Sequence, residues 1–429
     1  MHSYRFLLDI AIILLTTKVC GLITRRFRMP QVVGALIAGL VFGPAALGII
    51  QETDFLKKIA ELGVIVIMFT AGMSTKIDDL KSTGKGGLIV AAVGVIVPLG
   101  MGTLLGFAFN RGDLADGGNA LLQNIFIGVI LTATSVSITV ETLKEIGKLN
   151  TKVGGTILAA ALIDDVLGLV CLTVVTSMNG DTSVNIGVVL LKIVLFFVFA
   201  IVFGLFARRA LNWYADKIGK SNLQRFHVFA FIICLGMAYA AERFFGVADI
   251  IGAFAAGLII GSTKSAPYAE LRFQPLSFLL LTPVFFASVG LGVSMPNMNA
   301  ALIGFTLALI AVAVVSKLIG CGIGAKACGM NTRESVQVGL GMVCRGEVAL
   351  IVANKGIASG MLPPAFFGPL IIMVVFCSVV TPVLLKFAFR SEDKYHGLRE
   401  NRLAENFERP QQLEIIEYGL IEEDLISRR

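Results

Sequence analysis

Apolar residues run in long blocks along this chain, and the blocks set its first reading. A membrane-spanning helix takes about 20 predominantly apolar residues. Measured against that length, the sequence predicts thirteen spans: 4–23, 30–49, 56–74, 86–109, 120–143, 153–178, 185–207, 223–242, 247–262, 274–292, 299–325, 335–354 and 363–389. The polar segments between them alternate in charge. One set carries Arg25, Arg26 and Arg28, then Lys76, Lys81 and Lys85, then Lys144, Lys148 and Lys152. It continues with Arg208, Arg209, Lys217, Lys220 and Arg225, with Lys264 and Arg272, and with Lys326 and Arg333. The other set is poor in cations: Arg111 stands beside Asp113 and Asp116, and the segments around Asp181 and Pro296 have none. The positive-inside rule makes the basic set cytoplasmic, with the N-terminus outside and the C-terminus inside. An odd number of spans demands the same arrangement. The predicted fold class is an all-α polytopic membrane protein of the cell (inner) membrane, with about thirteen transmembrane helices over 1–389 and a charged cytoplasmic tail at 390–429.

Composition strengthens this picture. Hydrophobic residues make up 56% of the chain and charged residues 15%, with a mean hydropathy of +0.85. A soluble domain averages about 25% charged and 45–50% apolar residues, so a water-soluble fold is excluded and membrane lipid is the expected surrounding. The 46 glycines suit membrane helices, where they let backbones approach closely. The net charge of +7 is spread between apolar runs and reads as a topology signal, not as a nucleic-acid surface. The seven cysteines form no CxxC pair and are expected as buried thiols. No HExxH, Walker A or GxSxG pattern is present, so neither an enzyme nor a cofactor is expected, beyond transported ions.

Ionised side chains inside apolar spans are expensive and therefore informative. Asp164 and Asp165 are adjacent near the centre of the sixth span. Two neighbouring buried carboxylates raise each other's pKa and favour a cation or protons, which is the chemistry of a site trading one for the other. Lys317 lies deep in the eleventh span, where an aspartate is its natural partner. Arg345 and Glu347 interrupt the twelfth span, flanked by Gly339, Gly341 and Gly346, and read as organising charges for neighbouring helix ends. In the fifth span Thr132, Thr134, Ser135, Ser137 and Thr139 place five hydroxyls in eight residues, a set of hard oxygens able to help coordinate a cation.

The spans divide six, one and six. The fifth span of each half is the interrupted one, and a single linking span inserts the halves in opposite senses. Interrupted segments at corresponding positions of two inverted halves point to a transporter binding site. Two crossing broken helices would leave opposed half-helix charges at mid-membrane, to be offset by Arg345, Glu347 and the hydroxyl cluster.

From about Leu7 to Leu385 the chain resembles the monovalent cation:proton antiporter family, which includes NapA-type sodium/proton and Kef-type potassium/proton exchangers. The resemblance rests on seven stretches in order: PQVVGALIAGLVFGP at 30–44, ELGVIVIMFTAG at 61–72, ATSVS at 133–137, IDD at 163–165, GAFAAG at 252–257, PVFF at 283–286 and RGE at 345–347. It implies that Asp165 is the essential ion and proton carrier and that Asp164 assists, pairing with Lys317. Both carboxylates would then ligate Na+, with oxygens from Thr134, Ser135 and Ser137. The Asp-Asp pair places the chain nearer the sodium/proton, electrogenic branch than the Kef-type Gln-Asp; Cys344 stands where the family usually has Pro. The resemblance also implies a homodimer and an elevator-like shift of a core domain, around 86–178 and 299–389, against a dimer or scaffold domain, around 4–74 and 223–292. Monovalent cations and protons are the expected partners, Na+ first, with K+ and Li+ as further candidates. The rival readings are a sodium-coupled organic anion symporter and a cation channel or ion-gated receptor.

Overall fold

The computed structural model describes residues 4–27, 29–111, 119–178, 186–218, 223–292 and 300–390; the side chains of 79–82, 214–218, 223–225, 267–268 and Glu347 are not among them. Apart from Arg390, the predicted tail lies outside the described residues, as do most of the loop positions weighed for charge at 112–118, 179–185 and 293–299.

The described chain is all helix. In order it forms α1 (Arg5–Arg26), α2 (Gln31–Phe42), α3 (Asp54–Ser74), α4 (Ile77–Phe109), α5 (Ala120–Thr132), α6 (Val136–Glu145), α7 (Lys152–Met178) and α8 (Ile186–Ile218). Then come α9 (Leu223–Ala240), α10 (Asp249–Gly261), α11 (Ala266–Leu276), α12 (Thr282–Leu291) and α13 (Ala300–Ala327), followed by α14 (Thr332–Gly341), α15 (Glu347–Ala358) and α16 (Phe367–Phe389). Local chemistry sets several ends. Thr53 Oγ1 accepts from Leu56 N, and Asn119 Oδ1 from Leu122 N, opening α3 and α5. Asn331 and Glu334 form a reciprocal capping box at the start of α14. Between α11 and α12 the turn Ser277–Leu281 widens to π geometry, between Pro275 and Pro283. Proline's missing N–H and its ring clash with the preceding turn explain the loosening.

Nine of the described helical segments are long and apolar enough to cross a membrane. The other four predicted spans have simple reasons for falling outside that set. Those at α2 and α10 are short, 12 and 13 residues. The one at α3 opens with Asp54, Lys57, Lys58 and Glu61. The one at 335–354 is divided between α14 and α15.

Two packing groups stand out. In one, α4 packs on α5, α7 and α13, α13 on α14, and α5 on α15. Its apolar core joins Phe126, Ile130, Leu309, Val343 and Met373, with Phe305 lying 4.4 Å from Phe366 and 5.4 Å from Phe109 between ring centroids. In the other group, α2 packs on α1 and α12, and α3 on α10 and α12. Ile13, Leu56, Val284 and Leu291 form its core. The long helix α8 touches both groups, through α7 and α10. Only 11% of its apolar window is buried, against 89% for α5–α6. Its exposed face is apolar, with Val194, Ile201, Leu205 and Phe206, whereas the α5–α6 pair is central.

Candidate ion-binding site

The site is built where two helices fail. α5 stops at Thr132 and α6 restarts at Val136, leaving an extended break; α14 stops at Gly341 and α15 restarts at Glu347. The breaks lie against each other. Ser135 N donates to the Cys344 carbonyl at 2.9 Å, and Thr139 Oγ1 donates to the Gly341 carbonyl at 3.0 Å. Gly346 is required at this approach, since a Cβ there would lie 2.7 Å from Ser135 Oγ. Backbone groups freed by a helix break need partners in an apolar interior, and each break supplies some of the other's.

Arg345 completes the crossing. It has no exposed surface. Its Nη1 donates to the Ala133 carbonyl at 2.6 Å and to Thr134 Oγ1 at 3.4 Å, so the cation sits on the carbonyl end of α5, where the helix dipole is negative. The carbonyl of Arg345 itself accepts from Ser378 Oγ on α16. Glu347 is the first residue of α15, but its side chain lies outside the described residues. The N-terminal sides of the breaks are barer: neither Ser135, capping α6, nor Gly346, capping α15, provides a side-chain cap bond. Thr134, Ser135 and Ser137 are all buried, and Ser135 Oγ lies 3.4 Å from Ser137 Oγ.

α7 passes through the same group, and Gly168 brings it within 3.9 Å of Thr132 Oγ1, measured from the place its Cβ would occupy. One turn earlier, Asp164 is only 1% exposed. Both its carboxylate oxygens accept from Lys317 Nζ of α13, at 2.9 and 3.1 Å. Lys317 is fully buried, and Gly94 of α4 leaves room beside it: a Cβ there would strike Cys321 Sγ and come 4.0 Å from Lys317 Nζ. Asp165, the next residue along α7, is partly buried as a residue, and its Oδ2 is covered. The two adjacent aspartates thus differ: Asp164 is sealed in an ion pair with Lys317, whereas Asp165 is less buried as a residue although its Oδ2 is covered.

Of the residues singled out from sequence, Asp164 and Lys317 meet directly, as do Thr134 and Arg345, and Ser135 and Ser137. Ser378 was not foreseen; a single serine in a long apolar span carries no periodic or charge signal. Nor was a role for Lys144 and Glu145, which sit at the end of α6 among residues read only for topology.

Discontinuous helices whose breaks meet inside an apolar bundle, beside buried charges, define the secondary-transporter class. The transmembrane sodium/hydrogen exchanger family matches residues 11–390, and the chain belongs to that family. It is 39% identical over 394 residues to the Na+/H+-K+ antiporter GerN of Bacillus cereus, covering 91% of this chain and 98% of that relative. A Na+/H+ antiporter of Enterococcus hirae is 36% identical over 381 residues, covering 88% and 96%. The fold matches that of the sodium proton antiporter MjNhaP1 of Methanocaldococcus jannaschii with a TM-score of 0.68 at 16% identity, over 93% of this chain and 99% of that one.

Proposed function

We propose that this protein is a secondary antiporter that exchanges Na+ for H+ across the cell membrane, with K+ and Li+ as alternative ions, and with Asp165 as the ion and proton carrier. The observation that carries the reading is the buried Asp164–Lys317 pair directly beside the partly buried Asp165. Family membership and relatives named as Na+/H+ antiporters support it.

The chemistry follows from charge. An entering Na+ needs oxygen ligands, and Asp165, Asp164 and the hydroxyls of Thr134, Ser135 and Ser137 offer them. Sharing Asp164 with Na+ weakens its hold on Lys317 by competition for the same carboxylate oxygens. Lys317, once displaced, gives up its proton, as Asp165 does on binding Na+; when protons return to Asp165 and Lys317, the ion pair re-forms and the cation leaves. One anionic site cannot hold cation and protons together, so the fluxes are coupled. Two protons per Na+ then make the exchange electrogenic; if Lys317 never leaves Asp164, one proton per Na+ results. Alternating access comes from movement of the α4–α7 and α13–α16 group against the α1–α3 and α9–α12 group, in a homodimer whose N-terminus faces outside.

The test uses purified protein in liposomes with an acid interior, with Na+, K+ or Li+ added outside and the internal pH followed. Wild type is expected to dissipate the gradient with Na+, and Asp165→Asn to abolish the response. If Asp165→Asn matches wild type, the carrier assignment is wrong. If no cation acts on wild type, the antiport reading gives way to solute uptake. The pH dependence has a definite sign. Protons and Na+ compete, so the apparent KM for Na+ rises as pH falls, by up to about tenfold per pH unit for each proton displaced. The steepness therefore counts the protons.

A further inference from the structure

The far end of α6 carries a second arrangement, distant from the helix break at its start. α2 begins at Gln31 after Pro30, which supplies no side-chain cap. The first amides of a helix have no partner within it and favour a negative charge. Here the partner is Glu145, 114 residues away in sequence: its Oε1 accepts from Gln31 N at 2.6 Å and its Oε2 from Val32 N at 3.5 Å. The preceding residue reaches α3. Lys144 Nζ donates to Thr70 Oγ1 at 2.8 Å and lies 4.0 Å from Glu141. Two adjacent side chains at the end of α6 thus bind the two scaffold-group helices α2 and α3, while the start of the same helix carries Ser135 and Ser137.

We propose that Glu145 and Lys144 form a latch that holds one access state of the transporter, with Glu145 as a positioning residue for the exchange cycle. The inference rests on the antiport reading above, and in particular on movement of one helix group against the other. A rigid helix joins the latch to the ion-side break, so α6 cannot shift relative to α2 and α3 without releasing these bonds. The location suits a releasable contact. Glu145 is exposed, so water can replace the α2 amides as its partners when the groups part. The sealed Asp164–Lys317 pair has no such replacement. The amide partners also make the latch directional: a carboxylate fits the N-terminus of α2 only while α6 ends against it.

The experiment introduces Gln31→Cys together with Glu145→Cys and forms the disulfide with a mild oxidant. Cross-linking is scored by peptide mass spectrometry, and transport by the proteoliposome pH assay before and after reductant. The expected result is efficient cross-linking, loss of Na+-driven proton flux in the cross-linked protein, and recovery on reduction; wild type and each single variant should be insensitive to the oxidant. Undiminished flux through the cross-linked protein would overturn the latch; where the two thiols stand too far apart to join, Glu145→Ala and Glu145→Asp decide it. Wild type in the same liposomes separates this from the parent reading, since absence of any cation-driven flux there refutes antiport whatever the cross-linking yield. Should the double variant not fold, Glu145→Ala and Glu145→Asp replace it. Loss of one helix-capping interaction should change the apparent KM for Na+ by about fivefold in the alanine variant, with restoration by aspartate. A fall in melting temperature with an unchanged KM would mean a merely structural cap and would also overturn the proposal.

Discussion

Lys317 and Arg345 are both cations with no exposed surface in the same group of helices, yet they are held in opposite ways. Lys317 meets a full negative charge, with both Asp164 oxygens within 3.1 Å. Arg345 meets the end of a helix: a backbone carbonyl and a threonine hydroxyl accept from its Nη1. Among the described residues no carboxylate lies within ion-pair distance of Arg345, and its Nε and Nη2 have no hydrogen-bond partner. The difference suits two tasks. A carboxylate can be reclaimed by a competing cation or proton, so the Lys317 bond is one that chemistry can open and close. The carbonyl of Ala133 does not titrate, so the Arg345 bond is a fixture that keeps the two breaks together.

The largest expected effect comes from removing Lys317 alone. Lys317→Met removes the ion-pair partner of Asp164 in an apolar bundle, which costs about 3–5 kcal/mol. A marked drop in melting temperature in detergent should report it. Asp164→Asn combined with Lys317→Met removes both charges and should recover most of that loss. If the double variant melts as low as the single one, the stabilising partner of Lys317 is something other than Asp164.

Arg345→Met should cost less, about 1–3 kcal/mol, the penalty for leaving buried acceptors unsatisfied. Among the described residues two of its nitrogens have no hydrogen-bond partner, so the substitution also relieves a desolvated charge. Arg345→Lys should recover part of the loss, because an ammonium can still donate to Ala133. A cost for Arg345→Met above that for Lys317→Met, read in the same melting assay, would invert the comparison.

The same contrast explains what the sequence made legible. A charge in mid-span is costly enough to stand out without any structure, so Asp164, Asp165, Lys317 and Arg345 were readable as single letters. The hydroxyl run 132–139 was readable as a candidate break because it holds the place in its half that the 344–347 interruption holds in the other. The long apolar spans were readable for the same energetic reason. What stayed hidden depends on where backbone atoms arrive. Ser378 is one of two hydroxyl residues, with Thr381, in a 23-residue apolar helix, and only the fold brings it to the Arg345 carbonyl. Glu145 looks like any loop acid until α2 arrives with uncapped amides. The short α2 and α10, and the π turn before α12, follow from close packing and proline placement rather than from hydropathy.

Ser378→Ala sharpens the fixed side of the comparison. Ser378 Oγ bonds both its own helix, at Val374 O, and the carbonyl of Arg345. The helix bond is dispensable, since serine back-bonding adds little to a formed helix. The second bond supports the Arg345 backbone, and its loss should cost about 1 kcal/mol. Transport by the surviving folded protein should keep its KM for Na+, because the substitution touches the fixture and not the charges proposed to exchange.

Ser135→Ala should have the smallest effect on stability and separates the two tasks most sharply. The structural bond of Ser135 runs from its backbone N to Cys344, and alanine keeps it. The hydroxyl, by contrast, has only a 3.4 Å contact with Ser137 Oγ. The melting temperature should therefore change by an amount worth no more than about 0.5 kcal/mol. If the hydroxyl serves the cation, the apparent KM for Na+ should rise while the maximal rate and the Asp164–Lys317 coupling energy stay put. An unchanged KM would remove the Ser135 side chain from the ion's surroundings and leave its backbone as the only part that matters. The hydroxyl of that break would then resemble Arg345, a piece of the crossing's architecture, and the exchanging site would contract to the aspartates of α7 and the lysine that one of them holds.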